Sequence, residues 1–339
     1  MSGPRGYSSY HGRKVIWKVL VAVLLILVIL AAVGFLLLQK YLVYDESGTP
    51  HLQLPEKPTS SAVSSSDAGS TGAESDEPLN ITIDEPERKD IQAIQLGADP
   101  AAWASATSGQ NAFCVSVKTA GGRVQYQTSF ANAPLSDTAG AASAALPGLL
   151  AADSYAIARL SCLQDSASAR ANVDTMGLKN TGGYIFYDGN NENWLDPSKP
   201  ATVSYLCAIA KECADMGFGE ILLTDLSYPT YGKLSAIDYN GADQAQALAD
   251  LVSAVKTAVG EGVLVSVELP DAVITSGADE TAGQSLAALA PLADRVYAAC
   301  TAAQSAALEQ VVVAVSDKTA FVPELTGETM TSGSYLRLS

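Results

Sequence analysis

The run from residue 19 to residue 38 contains no charged side chain, and it constrains this chain more than any other feature. A helix needs about 20 apolar residues, at ~1.5 Å rise each, to cross a bilayer core of ~30 Å. Arg5, Arg13, Lys14 and Lys18 precede the run, whereas Lys40, Asp45 and Glu46 follow it. Positive charge marks the cytoplasmic side of a span. The sequence therefore predicts a cytoplasmic basic tail over 1–18, a single transmembrane helix over 19–38, and all that follows on the extracellular side. A cleaved signal peptide is the alternative. Its apolar region would span only ~7–15 residues and end at a small-x-small site, and Gln39-Lys40-Tyr41-Leu42-Val43-Tyr44 supplies none. The reading is an uncleaved signal anchor in a cell membrane.

Residues 39–89 read as a disordered linker. From Asp45 onward they are rich in Ser, Thr, Pro, Asp and Glu, and Thr59-Ser60-Ser61 and Ser64-Ser65-Ser66 lead into an acidic stretch. Such a segment cannot bury enough apolar surface to fold. Its ~45 residues reach roughly 35–40 Å as a flexible coil. A net charge of −16 argues against nucleic acid as a partner, because phosphate binding needs clustered Lys and Arg. The only histidines are His11 and His51, which lie before the globular part. That excludes a Ser-His-Asp or Cys-His site and a histidine-held metal there, and no metal or cofactor is expected. Chemistry in the remaining chain is left to carboxylates, Lys, Tyr and Arg. Of the five cysteines, Cys114 and Cys162 fall on predicted strands, and Cys207 and Cys213 share a predicted helix; buried free thiols are the expectation.

Residues 90–339 alternate short β-branched runs with helical patterns. The predicted strands cover 91–96, 113–118, 155–162, 220–224, 263–268, 295–300, 311–315 and 320–325. Asp196-Pro197 opens a predicted helix with Val203, Leu206, Ala210 and Cys213 on one face, ended by Gly217. Leu248, Leu251, Val252, Val255 and Val259 stripe another before Gly260, and Leu286, Leu289 and Leu292 a third. Strand-helix alternation implies a parallel sheet clothed in helices, and eight strands in ~250 residues match a (β/α)8 barrel of TIM type. An open doubly wound sheet is the alternative.

In such a barrel the active site lies at the C-terminal strand ends. Side chains alternate with period two along a strand, so Cys114, Ser116 and Lys118 face opposite to Phe113, Val115 and Val117. Likewise Leu264, Ser266 and Glu268 face opposite to Val263, Val265 and Val267. With the valines packed on helices, Lys118 and Glu268 are expected at the rim. Arg159 is in phase with Tyr155 and Ile157, and Asp165 follows it as a candidate ion-pair partner. Asp225 follows strand 220–224, where a carboxylate can meet Glu268 across neighbouring strands. Paired carboxylates are what glycoside hydrolysis requires. Tyr187, Trp194 and Tyr228 are candidates to stack on sugar faces; a small hydrophobic lid is the alternative for the aromatics of 183–194.

Several segments resemble a family of glycoside-hydrolase-like barrels of otherwise unknown function, found on bacterial surface proteins. They are Trp194-Leu195-Asp196-Pro197, Tyr205, Ile209-Ala210-Lys211-Glu212, Gly217-Phe218-Gly219-Glu220-Ile221, and Asp225 with Tyr228-Pro229. Weaker echoes are Val117-Lys118 with Gly122, Ile157-Ala158-Arg159 with Asp165, and Gly283-Gln284. Departures accompany the match. Gly219 stands where the family has Asp, Thr224 falls at its strand-end Asp, and Asp225 comes one position late. Ser227 replaces a common Arg, and a Pro-Met-Tyr-Pro pattern is missing beyond Tyr297.

With the anchor predicted at 19–38, the resemblance implies a membrane-anchored extracellular protein of glycoside hydrolase type, acting on a cell-surface polysaccharide or cell-wall glycan. Glu268 and Asp225 would form the carboxylate pair, with Arg159 and Lys118 orienting hydroxyls or tuning carboxylate pKa. The alternatives are a degenerate barrel that binds glycan without cleaving it, and an envelope interaction or scaffold protein.

Overall fold

The computed structural model describes residues 90–130 and 133–338, together with the backbone of two short antiparallel strands, Leu42–Tyr44 and Pro50–Leu52. The tail, the apolar run at 19–38 and the rest of the predicted linker lie outside the described residues. Among the described residues no helix is long and apolar enough to cross a membrane.

Where bulky apolar residues alternate with small or polar ones, the chain forms strands. They are β1 (Gln92–Gln95), β2 (Ala112–Lys118), β3 (Tyr155–Ser161), β4 (Glu220–Thr224), β5 (Leu264–Glu268), β6 (Arg295–Ala299), β7 (Ala320–Thr326) and β8 (Tyr335–Leu338). Each pairs parallel with the next in sequence, and β8 pairs back onto β1, so the sheet closes into a barrel. Closure removes the open-sheet alternative. Between the strands run α1 (Trp103–Ala106), α2 (Ala139–Leu150), α3 (Ser166–Ala171), α4 (Pro200–Met216), α5 (Gln244–Val259), α6 (Asp271–Ser276), α7 (Leu286–Leu289) and α8 (Ala302–Val315). The link from β7 to β8 carries no helix.

Two expectations change. Residues 311–315 are not a strand but the last turn and a half of α8. Thr301 and Gln304 form a reciprocal capping box that starts this helix. Ser305, Leu308 and Val312 then fall on one buried stripe, leaving Val313 and Val315 exposed. Tertiary packing of a helical face thus outweighs the β preference of Val. The eighth strand is instead β8, whose four residues carry too short a pattern to stand out. A smaller shift affects α4, which starts at Pro200 rather than at Pro197. Asp196 precedes it in a tight turn, its Oδ1 accepting from Ser198 N at 3.0 Å and Oγ at 2.6 Å.

The alternation sorts the apolar residues into two cores. Ala93, Cys114, Ile157, Leu222, Val322 and Leu336 fill the barrel interior. Phe113, Val115, Leu160, Ile221, Val265 and Val267 face the helices, where Leu251, Val252 and Val255 of α5 meet the same layer. The five cysteines are free, and Cys114, Cys162 and Cys213 are buried. Burial pushes the thiols of Cys162 and Cys213 up to about 12.

The N-terminal end of the barrel is closed by a polar cluster. Glu220 at the start of β4 is fully buried and forms an ion pair with Arg295 of β6. Ser266 Oγ donates to Glu220 Oε1 at 2.6 Å, and the Tyr297 hydroxyl donates to the same oxygen at 2.8 Å. The Tyr155 ring lies 5.5 Å from the Arg295 guanidinium. This ring explains Gly219: a Cβ there would come within 2.8 Å of it, so a larger residue would have to displace Tyr155.

Candidate active site

At the opposite, C-terminal end, strand alternation brings two acids and one guanidinium together, and a backbone turn adds a third acid. Arg159, in phase with Ile157 on β3, reaches across the barrel. It forms ion pairs with Glu268 at the end of β5 and with Glu324 on β7, the latter at 2.8 Å. A second contact to Glu324 measures 3.4 Å. Glu268 keeps 30% of its side chain exposed and Glu324 only 2%. The Glu268 carboxyl is pushed up to about 7, first by burial and next by the charge of Glu324. Arg159 pulls the other way, and Asp225 adds to the rise. Burial works against the Arg159 charge, but Glu324 and Glu268 outweigh it and hold the guanidinium above its ordinary value.

Asp225 joins this group through the backbone. β4 ends at Thr224, and Asp225 takes the left-handed conformation, φ 49°. A residue that would otherwise point outward with Leu223 is turned instead beside Ser161 at the top of β3. The Ser161 hydroxyl donates to Asp225 Oδ2 at 2.6 Å. A non-glycine residue at positive φ is uncommon and costs of order 1–3 kcal/mol. The turn is what brings Asp225, outward by strand phase, to the Ser161 hydroxyl.

Lys118 is not on the rim. The pairing of β2 with β3 shifts between Ser116, opposite Arg159, and Lys118, opposite Leu160. This bulge gives β2 one extra residue, and Lys118 takes the outward phase of Leu160. It is buried, forms an ion pair with buried Asp165 at 3.1 Å, and donates to the Ser161 carbonyl at 2.7 Å. Asp165 therefore pairs with Lys118 rather than Arg159, and its Oδ1 also caps α3 through Ser168 N at 2.7 Å. Gly122 completes the arrangement: φ is 92°, and a Cβ would lie 1.8 Å from Asp165 Oδ1.

The aromatic candidates divide. Trp194 is buried and donates its Nε1–H to Asp188 Oδ2 at 3.0 Å. Tyr228 is buried edge-on against Tyr239, ring centres 5.4 Å apart. Neither offers a face to a ligand. Tyr187 is exposed, with Arg170 5.7 Å from its ring, and Tyr184 and Tyr231 are exposed beside it in the chain segments that follow β3 and β4. Those segments are tied by a small antiparallel ladder, Lys179–Asn180 on Ile237–Asp238. Glu324, absent from the sequence-derived candidates, was available to the same alternation: Val322 faces inward, and so must Glu324 two residues on. Among the described residues no group of His, Cys, Asp and Glu could hold a metal ion.

Comparison with known proteins gives one family and a set of distant folds. A family model described as "putative glycosyl hydrolase domain" matches residues 102–300, more than half of the chain. A search of curated proteins finds no match. Among solved structures, a hypothetical protein from Ruminiclostridium thermocellum is 19% identical with a TM-score of 0.45, covering 51% of this chain and 96% of its own. The glycoside hydrolase domain of PelA from Pseudomonas aeruginosa is 14% identical with a TM-score of 0.41, covering 69% and 82%. The spore cortex-lytic enzyme SleL from Bacillus cereus is 9% identical with a TM-score of 0.38, covering 70% and 50%.

Proposed function

The chain belongs to this glycosyl hydrolase domain family, and on that premise we propose that it is a retained hydrolase cleaving glycosidic bonds with Glu268 and Asp225. One observation carries the reading. Glu268, partly exposed at the C-terminal rim, stands among Arg159, Glu324 and Asp225, and burial and the neighbouring acids push its carboxyl up to about 7. A general acid works at neutral pH when its environment raises its proton affinity into that range. Glu268 Oε2 faces Arg159, which leaves Oε1 to carry the proton. Glu268 donates it to the leaving oxygen as the C–O bond breaks. Asp225, held by the Ser161 hydroxyl, attacks the anomeric carbon or takes a proton from the attacking water. The anomer released, read by NMR, distinguishes these two courses.

The substrate we propose is a cell-surface polysaccharide. The uncharged run at 19–38, with its basic flank, supports a membrane anchor that sets the barrel outside the cell at the end of a linker. External protease on intact cells should then release the barrel, and protection of it would overturn the topology. Glycan binding without cleavage is the second reading, supported by exposed Tyr184, Tyr187 and Tyr231.

The test is a polysaccharide screen with wild type, Glu268→Gln and Asp225→Asn. Loss of a general acid costs about 10²–10⁴-fold in turnover, with folding retained. Equal hydrolysis by all three proteins removes this site. Binding without any hydrolysis by wild type selects the second reading.

A further inference from the structure

Glu324 stands apart from the two carboxylates assigned above. It is almost wholly buried, yet both of its oxygens receive Arg159, Oε1 from Nη1 at 2.8 Å and Oε2 from Nη2 at 3.4 Å. The same Nη2 also donates to Glu268 Oε2. One guanidinium therefore serves two carboxylates, and the inner one holds both of its amino groups. We propose that Glu324 is a positioning residue that sets the proton affinity of Glu268, by occupying Arg159 and by placing a second carboxylate beside the acid. The proposal rests on the reading of Glu268 as the acid.

An arginine given wholly to one carboxylate favours its charged form and lowers the pKa by about 1–3 units. That would leave Glu268 ionised at neutral pH and useless as a proton donor. Two carboxylates competing for one cation behave oppositely, because the second charge has no counterpart. The inner acid is chelated by the guanidinium fork, a strong charge-assisted geometry. The outer acid, partly open to solvent, is left to take the proton where a substrate can reach it.

The remaining groups around Glu268 are accounted for. Arg159 approaches from β3, Asp225 from the end of β4 and Glu324 from β7. On β6, Tyr297 pairs in register with Glu268 but turns its hydroxyl down to Glu220. On β2, Cys114 lies in the barrel interior and Lys118 has turned away to Asp165. Glu324 contributes to the raised Glu268 value second only to burial, in keeping with this geometry.

The experiment uses the full chain carrying ¹³C-labelled glutamate. Infrared difference spectra follow the protonated carboxyl band through a pH titration, and the band lost in Glu268→Gln is that of Glu268. In Glu324→Gln, which keeps an acceptor for Arg159 but removes the charge, the Glu268 midpoint should fall by about one unit or more. The protonated fraction at neutral pH then drops from about half to about one-tenth, and the alkaline limb of the pH–rate profile moves down with it. An unmoved midpoint in folded Glu324→Gln overturns the proposal, since a merely structural ion pair changes stability alone. If that variant does not fold, Glu324→Asp withdraws the carboxylate by one methylene and should lower the midpoint by a smaller step; no change overturns the proposal there too. Wild type that cleaves no glycan sinks the hydrolase reading while leaving this titration result to stand, so the two failures are separable.

Discussion

Glu220 and Glu268 lie on neighbouring strands of one barrel, both face inward, and both meet an arginine. The N-terminal glutamate pairs with Arg295 and accepts from two hydroxyls. The C-terminal glutamate shares Arg159 with Glu324 and feels Asp225 as well. One end is charge-balanced and closed. The other holds three carboxylates against one guanidinium and is partly open. The contrast teaches that two glutamates on neighbouring strands differ by how many acids share the nearby cation. On the proposed reading, the shared cation is what leaves the outer acid able to take up a proton.

The largest effect expected from breaking this comparison is at the closed end. Glu220→Leu leaves Arg295 without its carboxylate in the barrel floor, and removing one partner of a buried pair costs about 3–5 kcal/mol. Urea unfolding should show that loss, while turnover per folded molecule stays at the wild-type level. A drop in turnover with unchanged stability would reverse the roles of the two ends.

A structural ion pair near the C-terminal end sharpens the comparison further. Gly122→Ala must place a methyl group against the Asp165 carboxylate and hold alanine at positive φ. The two penalties together should cost about 2–4 kcal/mol, read in the same unfolding experiment. If the variant were as stable as wild type, the Lys118–Asp165 pair would not depend on this close approach.

The smallest effect concerns pH. The folded pKa of Glu268 is raised from 4.5 to about 7, so its stability contribution is full below the unfolded value and is lost as pH rises through about 7. Glu268→Gln is permanently neutral and should not share that loss. Its stability relative to wild type should improve by about 1 kcal/mol between pH 5 and pH 8, a modest figure because the group is partly solvated. A gap that does not change with pH would mean that Glu268 titrates normally in the fold.

Much of the barrel is legible in the sequence because a strand inside a closed barrel must alternate. Arg159 and Glu268 were located by phase alone, and Val322 followed by Glu324 carries the same signal. Phase fails where the backbone leaves its period. At Lys118 one extra residue in β2 reverses the face, and at Asp225 a left-handed turn does so. Trp194 and Tyr228 show a different limit. An aromatic after a strand end can face a ligand or a neighbouring loop, and composition does not distinguish these. The run at 311–315 shows a third, since β-branched residues join a helix when a capping box and a buried stripe extend it.

What the sequence by itself determined is the repeating strand-helix pattern, the inward phase of Arg159, Glu268 and Glu324, and the absence of histidine after His51. What only the tertiary structure decided is which of these groups meet. Arg159 finds Glu268 across 109 residues and Glu324 across 165, and no local pattern encodes such pairings. They follow from barrel closure, which brings strands distant in sequence face to face across a narrow interior, where one guanidinium must serve whichever carboxylates arrive with it.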